Sequence, residues 1–358
     1  MKRKRILTLI LCLLLLCGML SSCRAQQTSY TPPTLSSYDN KFNYNNLSAG
    51  ANNIFIDGQG MYYNDKEFLQ RYCRVYAHTE DGVTPVFMAW GDVQSVPQKY
   101  GNKMYVLYHM FYDMENSYLI EYDYSTQKRK TVATIPVYWI DNIYVVDDVA
   151  YYTTSFGGNS LNAVHLDTGE ILPIEDSINA CGVVDGRLRY VICEDFYCTV
   201  YEYDAAADQS AVIGGFDYTD YEFIDRCRWA NFTKDTVIFL SGNYTIPPLF
   251  YWMDRNEIQQ LQTDQRLTDA VACEEYLFFV IDERDHSREQ DYSHYTVYRL
   301  CIDTLEVEKI DRFYGSVYLY VMSDTDVFIE HDYGKRIVHY NVADGTSEEI
   351  WVDHSPIV

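Results

Sequence analysis

One short run of β-branched and aromatic residues returns seven times along this chain, at intervals of 38 to 50 residues. The copies are MYYN from Met61, MYVLY from Met104, AYYTT from Ala150, LRYVI from Leu188, VIFLS from Val237, LFFVI from Leu277 and VFIEH from Val327. A second run follows each after a loop of variable length: RVYAH, YLIEYD, NAVHLD, TVYEYD, LFYWMD, VYRLCID and IVHYNV. A weaker run such as PVFM, TVATIP or VEKID comes next, and an apolar run such as NIFID or ACGVVD precedes each first element. Turn signals such as Gly101-Asn102 and Asp185-Gly186 separate them. Four strands in about 44 residues is the cadence of a β-propeller blade. The runs are apolar throughout, which is what a sheet covered on both faces requires. One four-stranded sheet cannot cover its own two faces, so the units must stack into a ring. The fold class expected is all-β, a propeller of about seven four-stranded blades. Six or eight also fit, because the longest intervals leave room for an irregular unit.

The chain has 358 residues, more than the roughly 250–300 at which a single core stops growing, and the repeat explains how. The propeller is expected over residues 53–352, with a short tail at 353–358. Residues 1–22 read differently. MKRKR is a basic start, Ile6 to Met19 form an apolar stretch, and Leu20-Ser21-Ser22-Cys23 follow. Fourteen apolar residues make a helix of about 21 Å, short of the roughly 30 Å hydrocarbon core. A cleaved signal peptide fits better than a membrane span. Small residues before Cys23 resemble the lipobox of bacterial lipoproteins, and the resemblance implies lipidation of the Cys23 thiol and cleavage before it. Residues 23–52, polar and carrying Pro32-Pro33, read as a flexible tether. The lipid would then be the membrane attachment.

The formal charge of −24 excludes a nucleic-acid partner, because such a surface repels phosphate. Loss of residues 1–22 removes four basic side chains and no acid, which deepens the charge to −28. An acidic body beside an anionic leaflet is pushed outward, as suits a tethered domain on the extracytoplasmic face. Tyrosine is in excess, with 35 Tyr against 16 Phe. The paired aromatics of MYYND and AYYTT resemble relaxed copies of the YWTD repeat, found in the propellers of low-density-lipoprotein-receptor relatives. The whole cadence is similar to that of Tyr-rich bacterial lipoproteins, common in Gram-positive anaerobes. No copy has Trp at the second position, so the resemblance implies a fold and an envelope location and carries over no catalytic residue.

Outside the cytoplasm a disulfide is permitted. Cys193 and Cys198 (CEDFYC) flank a four-residue hairpin and are the candidate pair. Cys181, Cys227 and Cys273 lie near inner strands and read as small buried hydrophobes. No CxxC pairs with histidine, so no metal and no cofactor are expected. His78, His165 and His339 fall near one repeat position on different blades. His286 and His294 share a long acidic loop that reads as a solvated segment. Asp141, Asp225 and Glu274 lie near inner strands and are the candidate channel-facing carboxylates if the protein cleaves a glycan. Elbow, zincin, phosphate-loop and dinucleotide motifs are absent.

The loops joining second and third strands gather on one side of a propeller, and their aromatics Tyr112, Phe156, Tyr197, Tyr244 and Tyr292 are candidate contacts for a ligand. The expected function is a monomeric, non-enzymatic binding or scaffold module for a protein, peptide or glycan. The alternative is a carbohydrate-active hydrolase or lyase.

Overall fold

The computed structural model describes residues 54–352, except for 58–59, 65–72, 80–81, 90, 94–97, 111–112, 114, 124, 127, 139, 141, 155–158, 222–226, 242–245, 262–266, 284–293, 316, 322–325 and 332–335. Side chains are described from residue 98 onward, apart from 99, 142, 227–228, 241, 321, 326 and 350–352. Cys23, Tyr112, Phe156, Tyr244, Tyr292, Asp141, Asp225 and His286, with the signal and tether, lie outside the described residues.

The described residues contain strands and no helix. They form seven antiparallel sheets, each made of strands consecutive in sequence, so the first and last sheets share no strand. The second strands are Gly60–Asn64, Lys103–Met110, Val149–Thr154, Arg187–Glu194, Thr236–Ser241, Tyr276–Asp282 and Asp326–His331. Each holds one of the seven recurring runs. Six sheets have four strands; the second has five, because Gly91–Val93 and Gln98–Tyr100 both pair with Lys103–Met110 along its inner edge.

The apolar runs arise because successive sheets pack face to face. In Val149–Thr154 every residue is buried. Ala150 and Tyr152 join a core with Tyr105, Leu107 and Leu119 of the second sheet. Val149 and Tyr151 point the other way, onto Leu188 and Tyr190 of the fourth. The same alternation serves the later sheets: Phe239 and Tyr251 pack on Val200 of the fourth sheet, while Ile238 and Phe250 pack on Phe279 of the sixth. Each such side chain contributes about 1.5–3 kcal/mol by leaving water. Outer strands cover only one neighbour, so Lys128–Ile135 and Val307–Tyr314 are largely exposed. Six of the seven sheets carry a β-bulge where the third strand meets the outer one, as at Val200/Tyr201 and Val297/Tyr298. Such bulges add local twist to the strand.

Side chains also tie neighbouring inner strands together. Tyr144 Oη donates to the Cys181 carbonyl at 3.3 Å, and Asn231 Oδ1 accepts from the Ala272 amide at 2.9 Å. Asp269 Oδ2 accepts from the Leu319 amide at 3.0 Å. Arg189 reaches from the fourth sheet to the carbonyls of Thr233 and Lys234 at 2.9 and 2.7 Å. These bonds satisfy backbone groups where the sheets splay and no ladder can form.

Two expectations change. Glu274 is exposed in the turn between Ala272 and Tyr276, because the inner strand Leu267–Ala272 ends before it. Asp282 and His294 bound the long loop of the sixth sheet but belong to its strands, Tyr276–Asp282 and His294–Cys301. His294 lies edge-on to Tyr314, with ring centroids 5.9 Å apart.

Candidate functional site

Antiparallel order puts the inner-to-second turns at one end of every sheet and the second-to-third hairpins at the other, beside the connections between sheets. On this second side, the fourth sheet carries a tight hairpin. Glu194 pairs with Tyr197, leaving Asp195 and Phe196 as a two-residue turn with φ of 49° and 65°. Two positive φ values define a type I′ turn, the geometry that matches strand twist. The same turn recurs at Asp147-Asp148 and Asp185-Gly186, whose residues tolerate the left-handed region. Phe196 does not. A bulky side chain at φ 65° is an outlier that costs about 1–3 kcal/mol unless its surroundings impose it.

The surroundings do impose it. Cys193 and Cys198 face each other one step below the turn, bridged as a disulfide with Cα atoms 4.1 Å apart. The Phe196 carbonyl accepts from the Tyr218 amide at 2.9 Å, and the two rings sit 6.1 Å apart. Asn179 Oδ1 accepts from the Cys193 amide at 2.7 Å, while the Asn179 amide donates to Val191. Gly215 gives the neighbouring Tyr197 its space: a Cβ there would lie 2.8 Å from the Tyr197 hydroxyl.

The outcome is a braced tip that holds aromatic surface in water. Phe196 is 56% exposed and Tyr197 50%. Among the described residues they are the one adjacent pair of exposed large hydrophobics. Trp229, on the inner strand of the fifth sheet, adds a partly exposed ring on the same side. Of the five loop aromatics singled out from the sequence, Tyr197 is the one described, and it is exposed. Phe196, which the sequence reading passed over, is its partner. Its position in the CEDFYC turn was visible; its exposure was not.

Among the described residues four carboxylates are buried, Glu121, Asp269, Asp282 and Glu330, none of them on the fourth sheet. Asp269 and Glu330 are 3% and 2% exposed, on the sixth and seventh sheets. Glu330 accepts from the Tyr320 hydroxyl at 2.6 Å, and Asp269 is bonded to the Leu319 backbone. Burial first, and the nearby Glu330 and Asp269 charges second, hold the Tyr320 phenol well above its ordinary value. Among the described residues no group of three His, Cys, Asp or Glu side chains is arranged to hold a metal. His165 and His339 sit on the third and seventh sheets, and His339 stacks on Phe328 at 4.7 Å.

No protein-family model matches the sequence, and no curated protein matches it significantly. Solved structures do match, and they give the fold. The β-propeller domain of the trilobed protease from Pyrococcus furiosus, described as having an open velcro topology, is 10% identical over 87% of this chain and 100% of that one, with a TM-score of 0.57. Sqt1 from Saccharomyces cerevisiae is 8% identical over 87% of each chain, at 0.56. A prolyl endopeptidase is 11% identical over 88% of this chain, at 0.58, and this chain spans 51% of its length. The described residues form a β-propeller of seven sheets, and among them the first and last sheets share no strand.

Proposed function

We propose that this propeller is a non-enzymatic binding module, held on the outer face of a bacterial cell membrane by a lipid on Cys23, and that it engages a protein, peptide or glycan through its hairpin side. The observation that supports this most is the braced tip of the fourth blade, where Phe196 and Tyr197 are kept in water by a disulfide and a strained turn. An exposed aromatic pair on a rigid support is suited to contact, because little conformational entropy is lost when a partner covers it.

Glycan cleavage fits less well. It needs two carboxyl groups in opposition across a substrate. Asp269 instead accepts a backbone amide, and Glu330 accepts a phenol, both almost fully buried.

The test is capture from detergent-solubilised envelopes, alongside a glycan array, with full-length wild type and Phe196→Asn compared. Asparagine tolerates the left-handed turn and removes the ring. A bound species retained by wild type and lost with Phe196→Asn is expected; equal retention by both would overturn the assignment of this face. For the anchor, Cys23→Ala should move the protein from the membrane to the soluble fraction. Continued membrane association of that variant would refute lipidation.

A further inference from the structure

We propose that the tip of the fourth blade receives a cationic peptide segment, with a Lys or Arg side chain laid along the Phe196 and Tyr197 rings. This rests on the reading of the hairpin side as a binding surface and names the chemistry of its occupant.

Three segments meet at the tip: 175–179, 194–197 and 217–221. They are laced together through the Asn179–Cys193, Asn179–Val191 and Phe196–Tyr218 hydrogen bonds and the Tyr197–Asp217 pairing. They carry six carboxylates, Glu175, Asp176, Glu194, Asp195, Asp217 and Asp220, and no Lys or Arg. All but Glu175 are exposed. Asp217 is held as an anion below the usual carboxylate range by Thr219, whose hydroxyl and amide both donate to it.

The aromatic pair and this charge together select the partner. A Lys or Arg stem is apolar along its length and charged at its tip, so it covers a ring while its head reaches a carboxylate. The ring face itself attracts the cation. An anionic polymer would meet a body of net charge −24 and be repelled. A neutral sugar would stack on Tyr197 and donate hydroxyls to a few of the carboxylates, but would leave their charge unbalanced. Each exposed ion pair alone adds little. The rigid aromatic floor is what turns several weak attractions into a site.

The experiment is fluorescence anisotropy on the full-length protein in non-ionic micelles, with labelled oligolysine and chitohexaose as probes. Phe196→Asn removes the ring, Asp195→Asn removes one charge with a residue that also accepts the turn, and Val212→Ser alters an exposed residue on the outer strand of the same blade. The proposal requires oligolysine to bind, and to bind about three- to tenfold more weakly to Phe196→Asn and to Asp195→Asn but not to Val212→Ser. Oligolysine binding that Phe196→Asn leaves unchanged would mean attraction to bulk charge and would overturn it. Chitohexaose binding lost in Phe196→Asn, with no oligolysine binding, would also overturn it while leaving the binding surface in place. Binding of neither probe to wild type would overturn the cationic occupant and leave the face to the capture test above. An unchanged thermal midpoint in Phe196→Asn shows that the fold is kept.

Discussion

Asp269 on the inner strand of the sixth blade accepts a 3.0 Å hydrogen bond from the backbone amide of Leu319 on the inner strand of the seventh. Asn231 makes a bond of the same kind to Ala272 one blade earlier, two residues further along the inner strand. A carboxylate and a carboxamide therefore do the same work at successive joints. Without them a nearly fully buried N–H would be orphaned. Asp269→Ala should cost about 1.5–3 kcal/mol in urea denaturation, and Asp269→Asn distinctly less because the acceptor oxygen is kept. Equal losses would show that the backbone bond is not what Asp269 supplies.

Glu202 gives the fold a pH dependence with a definite sign. Burial pushes its carboxyl up, but hydrogen bonds from Arg187 and Arg189 at 2.7 and 3.1 Å outweigh this and leave it below its ordinary 4.5. A carboxylate depressed in the folded state stabilises above its unfolded value, and that stability is lost as pH falls through the folded value. Glu202→Gln should therefore melt below wild type near neutral pH, and the gap should narrow as pH falls below the ordinary 4.5. A gap that persists in acid would contradict the ion-pair account.

The hairpin staple should be detectable by alkylation. The peptide containing Cys193 and Cys198 should resist iodoacetamide until a reductant is added. Replacing both cysteines with serine should cost about 2 kcal/mol at most, because a loop this short gains little chain-entropy restraint. Alkylation of both sulfurs without reduction would remove the staple from the account of the tip.

Cys181 is a different kind of cysteine. It is fully buried in the core between the third and fourth blades, and burial pushes its thiol up to about 12 despite a compensating Tyr144 hydrogen bond. Its thiolate is scarce at mildly alkaline pH. Cys273 and Cys301, both half-buried thiols, should be alkylated before it in the native protein. Mass spectrometry of a time course decides the order.

Blade number was legible because second strands are buried on both faces, which forces unbroken apolar runs such as VAYYTT and YLFFVID. Outer strands were faint for the opposite reason: with one face wet, QSAVIGGFD carries little pattern. The third-strand bulges have no residue signature and surfaced only in the register. Inner strands misled in a specific way. Glu274 looked inner by its place in the repeat, yet the strand stops at Ala272; the acid that is buried there, Asp269, was hidden in the apolar run LTDAVA. The tip shows the same limit. CEDFYC announced a hairpin, but a phenylalanine at φ 65° is what turn chemistry argues against, so its outward ring was not foreseen.

Site-specific photo-crosslinking in intact cells tests the binding face most directly. A benzophenone side chain replaces Phe196 in one strain, and Val212 or Val307 on outer strands in the controls, all three positions being well exposed. Discrete adducts from position 196 that are absent from 212 and 307 are the result this account requires. Adducts of the same pattern and yield from all three positions, or none from 196, would contradict it.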